Sequence, residues 1–166
     1  FSGMLPKKTK RRKVTIEGYE EFKQVFGSYP KINIMHAENL ENIYWGSKII
    51  QNSLARWFIE LVSKKARFPF SGEDTESPYF WGDILQSKTK YVRLWGSADV
   101  NTLKFNPSMP YHDPRTPYVN YWFSFSDGYS PDIFNKMISE NNIDRLAKER
   151  GTCIMYAHLA SGFTFK

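Results

Sequence analysis

Residues 152–158, Thr-Cys-Ile-Met-Tyr-Ala-His, form the stretch on which the fold prediction depends. Five of these seven residues are apolar or aromatic, and no charge occurs before the histidine. Such a run is typical of a strand covered on both faces, as at the centre of a parallel sheet. Residues 144–150 have the pattern of a helix end, with several cations, and Gly151 ends that helix. Because α/β folds place their chemistry at the carboxyl ends of such strands, His158 is the first candidate functional residue.

Three other segments have the composition of strands, and segments with helical periodicity separate them. The predicted strands are residues 31–36, 90–95 and 118–125, and residues 96–117 have little regular pattern. The order is therefore strand, helix, strand, long loop, strand, helix, strand, which favours right-handed crossovers. The sequence predicts an α/β fold with a mainly parallel sheet.

The helices are predicted from periodicity and from capping residues. Residues 18–26 and 42–65 carry apolar side chains at helical spacing, and the longer segment is expected to lie on the sheet. The apolar faces comprise Tyr19, Phe22, Val25 and Phe26 in the first segment, and Ile43, Ile50, Leu54, Trp57, Phe58 and Leu61 in the second. Ser130 followed by Pro131 is a strong helix start. A break near residues 141–142 separates that helix from the one that ends at Gly151.

The composition indicates one globular domain that is rich in aromatic rings. The chain has 166 residues, of which 17% are aromatic, and it contains a single cysteine. Rings at this density fill cores and also line clefts that bind sugars. The single cysteine, Cys153, excludes an intramolecular disulfide and a cysteine-based zinc cluster, and it is expected to be inert in the last strand. No stretch has the length and apolarity of a membrane span. We expect the chain to be part of a longer protein.

The net charge of +6 comes from one segment. Residues 7–13 contain six lysines and arginines, and the remaining 17 basic residues balance 17 acidic ones. We therefore divide the chain into a basic N-terminal segment, residues 1–17, and an α/β domain, residues 18–166. Nucleic-acid attachment through residues 7–13 is the weakest functional alternative, because no aromatic residues are interleaved with the charges. We expect this run to be an exposed arm that makes few contacts.

The three histidines each lie at a predicted strand end or in the proline-rich loop: His36, His112 and His158. Carboxylates lie close to strand or loop ends as well: Glu38, Asp113 and Asp127. Histidines and carboxylates together are what a mononuclear metal site, or a base oriented by an acid, requires. Because the carboxyl ends of parallel strands meet at one edge, we expect His36 and His158 to face the same cavity. A structural role is equally compatible with His36, and turn formation is favoured for His112.

Several segments together resemble the polysaccharide deacetylase-like proteins, which are carbohydrate esterases. Ile-Met-Tyr-Ala-His at 154–158, with Arg145 and Gly151 before it, resembles the last motif of that family. Residues 36–46 (His-Ala-Glu-Asn, then Asn-Ile-Tyr-Trp-Gly) and residues 109–123 are similar to motifs of a divergent subgroup. The resemblance implies a partial or deformed (β/α) barrel.

The resemblance also implies functional residues. His36 would be a ligand of a divalent metal, zinc or similar, and His158 would protonate the leaving amine or alkoxide. Arg93 is a second catalytic candidate, because it follows the pattern of the family's arginine motif loosely. The residues implied in binding a glycan substrate are Trp45, Trp95, Tyr111, His112, Asp113 and Trp122.

The chain departs from the family in two motifs. The pair of aspartates expected after the first strand is absent, and Leu40 lies near the place of the second histidine in the next motif. We expect the aspartates to lie upstream of Phe1 if the chain is the C-terminal part of such a protein. Two functions remain open. One is a metal-dependent carbohydrate deacetylase, and the other is a catalytically inactive module that binds a glycan or a partner.

Overall fold

The computed structural model describes residues 11–35, 39–45, 53–62 and 70–157. Its elements are, in chain order, α1 (Arg11–Phe26), β1 (Ile32–Asn33), α2 (Ser53–Val62), α3 (Gly82–Lys88), β2 (Tyr91–Ser97), α4 (Thr102–Phe105), β3 (Tyr121–Asp127), α5 (Pro131–Met137), α6 (Glu140–Lys148) and β4 (Met155–Tyr156). Within these ranges, no helix has both the length and the apolar character that a membrane span requires.

The four strands form one parallel sheet in the order β1-β2-β3-β4. Ile32 pairs with Tyr91 in the β1–β2 ladder, and Asp127 pairs with Tyr156 in the β3–β4 ladder. The α/β class and the parallel sheet are thus confirmed. The strand bounds differ from those predicted, because β1 contains two residues and β3 begins three residues later than expected.

The prediction of a last strand covered on both faces is wrong. Only Met155–Tyr156 is a strand, it is the last in the strand order, and Ile154 is 36% exposed. The backbone of Thr152 bonds elsewhere, since its carbonyl accepts from Thr102 N at 2.8 Å and its N–H donates to Asn101 Oδ1 at 3.3 Å. Those bonds keep residue 152 out of the ladder. Cys153, which was placed inside the strand, precedes it and is half-buried.

The periodic segments near the N-terminus also differ from prediction. α1 begins at Arg11, so the division after residue 17 falls inside a helix. Tyr19 is buried, but Val25 and Phe26 on the predicted apolar face are 67% and 66% exposed. Residues 41–45 form turns instead of the start of a long helix, and within residues 53–62 the apolar side chains of α2 are largely exposed. The spacing of apolar residues therefore did not predict which faces of these helices are buried.

Within the basic run of residues 7–13, Arg12 is held against the protein by several contacts. Its guanidinium donates to both carboxylate oxygens of Asp83, at 2.8 and 2.7 Å, and to the carbonyl of Phe80 at 2.9 Å. It also lies over the Phe80 ring. The expectation of few contacts is therefore wrong for this residue, because a guanidinium can stack and form a fork at once. Lys7, Lys8 and Lys10 lie outside the described residues.

The chain divides into two compact units. The first comprises Phe1–Val92 and Asp113–Asn120, and the second comprises Arg93–His112 and Tyr121–Lys166. Buried apolar side chains of the first unit include Met35, Ile43, Phe70, Tyr79, Trp81, Leu85 and Val119. Those of the second include Leu94, Val100, Trp122 and Met137. Each unit therefore has an apolar core of its own.

The C-terminal helices follow their capping signals, but the break between them lies at residues 138–139 and not near residues 141–142, which lie inside α6. Ser130 caps α5 and accepts from Ile133 N at 3.4 Å, with Pro131 at the first position, as predicted. α6 ends as expected, but Arg150, with φ of 49°, occupies the left-handed position that a glycine usually takes. Gly151 has another role, because a Cβ there would clash with the side chain of Asn101.

Candidate functional site

The described residues contain some of the predicted site residues and not others. His36 and His158 lie outside them, so their shared cavity stays a prediction. The backbone of Trp95 lies in β2, and its side chain is outside the described set. Of the two catalytic candidates, Arg93 is the one whose surroundings are described.

Arg93 lies in β2 and is 8% exposed. Its guanidinium carbon is 4.5 Å from the centre of the Phe125 ring and 4.2 Å from that of Tyr156. Burial lowers the pKa of Arg93, while Tyr156 and the charge of Asp127 oppose that shift. Within the described structure its Nε has no hydrogen-bond partner. A buried donor in this state is unusual and is often associated with a functional group.

The strands and two glycines hold this arginine cluster, which we define as Arg93, Phe125, Asp127 and Tyr156. Asp127 and Tyr156 are partners in the β3–β4 ladder. The Phe125 and Tyr156 rings meet edge to face, with 5.3 Å between their centres. Gly128 N donates to the Tyr156 carbonyl at 2.8 Å, which extends the pairing. A Cβ at Gly96 would lie 2.6 Å from the Phe125 ring, so only glycine allows that ring position.

The chemistry open to the arginine cluster follows from its contacts. A guanidinium stays protonated at neutral pH, so it can donate hydrogen bonds and stabilise negative charge but cannot act as a base. The rings compensate part of the cost of burying its charge. Asp127 lies at the carboxyl end of β3 and also accepts from Tyr129 N at 3.2 Å. The cluster can therefore stabilise negative charge near its edge, or it can fasten three strands.

The predicted glycan-binding residues are dispersed. Tyr111 and Trp122 form an isolated antiparallel bridge, with N–H to carbonyl distances of 3.1 and 2.8 Å. Trp122 is 2% exposed, so its ring presents no open face for a sugar, whereas Tyr111 is half-buried. The neighbouring His112 is exposed. The structure joins two of these residues through their backbones but does not form a platform from them.

Asp113 and Trp45 belong to the first unit. The Asp113 carboxylate accepts from the backbone N–H of Arg115 at 3.0 Å and from its Nε at 2.8 Å, which is turn geometry. Trp45 is half-buried and follows Tyr44, whose pKa is raised to about 12 mainly by burial. These contacts assign Asp113 a local structural role and leave part of the Trp45 surface accessible.

The described residues form no metal centre of their own. Among residues 11–35, 39–45, 53–62 and 70–157, no three His, Cys, Asp or Glu side chains are close enough together to hold a metal ion. The predicted ligand His36 lies outside these ranges, so the divalent metal that the family resemblance implies stays a prediction.

A groove that was not predicted from the sequence lies in the first unit, between α1 and β1. Its volume is about 310 Å³. The lining residues that matter for its chemistry are Gly18, Tyr19, Asn33, Glu41, Asn42 and Trp81. Glu41 and Asn42 are 5% and 3% exposed, so the polar part of the wall is fixed inside the protein. We call this cavity the α1–β1 groove.

Backbone and side-chain bonds fix the polar wall of the α1–β1 groove. The indole of Trp81 donates to the carbonyl of Glu41, and Gly72 N donates to the carbonyl of Asn42 at 3.1 Å. The Tyr19 hydroxyl is 2.8 Å from that of Thr89 and accepts from the Asn33 amide at 3.3 Å. These bonds hold the aromatic and polar groups in place before any ligand arrives.

One sequence signal could have indicated the groove. Residues 33–42 contain three asparagines and two glutamates around His36, a density of amides and carboxylates that is high for the start of a core helix. The aromatic residues that complete the wall lie far away in sequence, at positions 19 and 81. No known protein family, curated protein or solved structure matches the chain.

Proposed function

We propose that the protein binds a glycan and that the α1–β1 groove holds one sugar ring. The supporting observation is the combination of aromatic rings with buried amide and carboxylate groups in one groove. Tyr19 and Trp81 meet edge to face at 6.0 Å in the buried wall, and Phe22, which is 37% exposed, offers apolar surface to the CH groups of a ring. Asparagine amides both donate and accept, which suits sugar hydroxyls.

The size of the groove agrees with this ligand. A volume of about 310 Å³ lies at the lower end of the range of small-molecule sites, which begins at about 300 Å³. Such a volume suits one ring with its substituents. Because the polar wall is already hydrogen-bonded, little ordering is needed on binding.

The test is a titration with short neutral and N-acetylated oligosaccharides, followed by calorimetry or NMR. Gly18→Leu is the blocking variant, because a Cβ at Gly18 meets nothing within 4 Å and the larger side chain would extend into the groove. Gln24→Leu places the same side chain elsewhere on α1 and is the matched control. We expect binding to the wild type and to the control, and at least tenfold weaker binding to Gly18→Leu. Equal binding to all three proteins would contradict the assignment of the groove.

We further propose deacetylation of the glycan as a second candidate function, on a deformed (β/α) barrel of the polysaccharide deacetylase type. It is favoured by the arginine cluster, in which a buried donor lies beside the carboxyl ends of β3 and β4. His158 follows Tyr156 by two residues and would protonate the leaving amine or alkoxide as acetate is released. The metal that the resemblance implies, with His36 as ligand, would activate the water that attacks the acetyl carbonyl.

Acetate release from an acetylated oligosaccharide tests this second function. Removing a general acid lowers the rate by about 100-fold or more, so His158→Ala should lose nearly all turnover. Asn135→Ala, at an exposed position of α5, is the control. A metal-binding measurement on His36→Ala tests the ligand role separately. Equal turnover of His158→Ala and wild type, or no acetate release by the wild type, would leave glycan binding as the only function.

A further inference from the structure

We propose that α2 binds the surface of a membrane that contains anionic lipids, with its apolar side chains in the membrane interface. The proposal concerns a part of the first unit other than the α1–β1 groove, and it does not rest on glycan binding. It starts from the composition of α2, in which seven of the ten residues are apolar. A helix of this composition needs an apolar environment for most of its surface.

The apolar side chains of α2 have a large area in contact with solvent. Trp57, Phe58 and Val62 are 58%, 60% and 72% exposed. The rings of Trp57 and Phe58 meet edge to face, with 6.1 Å between their centres, so they form one continuous patch. Exposed apolar patches mark surfaces that contact another protein or a membrane.

The polar positions of α2 fall on one side of the helix. Successive residues are about 100° apart around a helix axis, so positions 53, 56 and 60 share a narrow stripe. Apolar residues, among them Trp57 and Phe58, occupy the rest of the circumference. A helix with a Trp, Phe and Leu face and a separate polar stripe is typical of helices that lie in the plane of a membrane surface.

The charge of the segment around α2 selects the occupant of this face. Residues 48–67 contain five lysines and arginines and one acid, Glu60, so their net charge is +4. Lys64 and Lys65 follow Val62 by two and three residues, so covalent geometry keeps their α-carbons within about 11 Å of its α-carbon. An anionic lipid surface offers an apolar interior and negative headgroups together, and it therefore complements both properties of the segment.

The first experiment measures cosedimentation of the full chain with vesicles made of equal parts of phosphatidylserine and phosphatidylcholine. The double variant Phe58→Ser, Val62→Ser removes apolar surface from α2. Val25→Ser with Phe26→Ser removes the same two residue types from similarly exposed sites on α1 and is the matched control. We expect the wild type and the control to bind, and the α2 variant to bind at least about tenfold more weakly because two apolar side chains no longer enter the interface.

The second experiment tests the charge. Lys64→Gln with Lys65→Gln should weaken binding to the same vesicles at least about tenfold, since each cation near an anionic surface contributes about fivefold to the affinity. Lys136→Gln with Lys148→Gln makes the same change in net charge at exposed sites of the second unit, and it should bind as the wild type does. Vesicles of phosphatidylcholine alone should bind the wild type more weakly, and added salt should weaken binding to the anionic vesicles.

The remaining outcomes would contradict the proposal. Equal binding of the wild type and the α2 variant would assign vesicle binding to other cations, such as those at residues 7–13. Equal binding to the two kinds of vesicle would overturn the preference for anionic lipids. No binding to either kind would overturn the proposal as a whole, and a lipid-free dimer that the α2 variant loses would identify a second copy of the chain as the occupant.

A fluorescence measurement keeps the test valid if the α2 variant fails to fold. Tryptophan emission shifts to shorter wavelength when an indole enters a membrane interface, and Trp57 is the tryptophan of α2. On addition of the anionic vesicles, the shift should be smaller in Trp57→Phe than in the wild type. An identical shift in the two proteins would contradict the insertion of α2.

Discussion

The arginine cluster and the α1–β1 groove use the same kinds of side chain for different ends. In the cluster, two rings and a nearby carboxylate surround Arg93, which the chain itself supplies. In the groove, rings and Glu41 line a cavity of about 310 Å³, and none of the described lining residues is a lysine, arginine or histidine. The comparison teaches that rings and a carboxylate can pack around a cation of the chain or border an open cavity. We propose that the open cavity is the binding site.

One glycine at the arginine cluster and one at the α1–β1 groove differ in the space around them. A Cβ at Gly96 would lie 2.6 Å from the Phe125 ring, whereas a Cβ at Gly18 meets nothing within 4 Å. The first glycine permits close packing against the cluster, and the second leaves the groove open. Substitutions of these two glycines and of Arg93 and Arg12 test the comparison.

The largest effect is expected for Arg93→Ala. It removes a buried cation that lies against the Phe125 and Tyr156 rings, and it leaves the Asp127 carboxylate without its nearby positive charge. We expect a loss of about 3 kcal/mol in the free energy of unfolding, measured by denaturant titration. Arg115→Ala, which removes an exposed arginine paired with Asp113, should cost less than about 0.5 kcal/mol. Equal effects of the two variants would mean that the cluster is not a fixed structural unit.

Gly96→Ala should have the next largest effect. The added methyl group must displace the Phe125 ring from its position beside Arg93. Overpacking of this kind costs about 1–3 kcal/mol, and the resonances of the Phe125 ring should shift. A neutral change in stability with unchanged ring resonances would contradict the close approach.

Arg12→Ala should have a smaller effect on stability than the two preceding variants. Arg12 also contacts a ring, Phe80, and a carboxylate, Asp83, but it does so at the surface. Its pair with Asp83 is partly exposed, so we expect a loss of about 1 kcal/mol, most of it from the Phe80 contact. Arg12 lowers the pKa of Asp83. The stability from this pair is therefore present above the usual pKa of an aspartate, and it disappears as pH falls through the lowered value. Lys13→Ala, in an exposed pair with Glu17, is the control, and an equal loss there would contradict anchoring by Arg12.

The smallest effect, of opposite sign, is expected for Gly18→Ala. Alanine is favoured over glycine inside a helix, and the methyl group has open space at the groove. We expect a gain of about 0.5–1 kcal/mol in the free energy of unfolding. A lower stability in thermal or denaturant unfolding would mean that the side of α1 facing the groove has no room for a methyl group. That result would also weaken the binding proposal.

Patterns that depend on local chemistry were predicted well from the sequence. The Ser130–Pro131 helix start and the alternation behind a parallel sheet depend on neighbours within a few residues. The burial of residues 152–157 was predicted wrongly because the backbone of Thr152 bonds to residues 101–102, about fifty positions away. The start of the long helix, predicted at residue 42, was wrong for a similar reason, since the backbone of residues 40–42 bonds to that of residues 71–72.

The candidate site was predictable in part. Arg93 was selected from a motif likeness, but the rings around it come from β3 and β4, which no spacing in the sequence relates to it. The α1–β1 groove was missed because its wall combines Tyr19, Glu41 and Trp81 from three distant segments. Composition indicated that rings were available, and only the fold determines which of them face a cavity.

The most direct test of the central claim is chemical-shift mapping of backbone amides as a short neutral oligosaccharide is added to the wild-type protein. The account predicts the largest shifts at Gly18, Asn33 and residues 41–42, with little change at residues 123–127 of β3. Shifts concentrated around Arg93 and β3, or no saturable shifts anywhere, would contradict the claim that the groove binds the ligand.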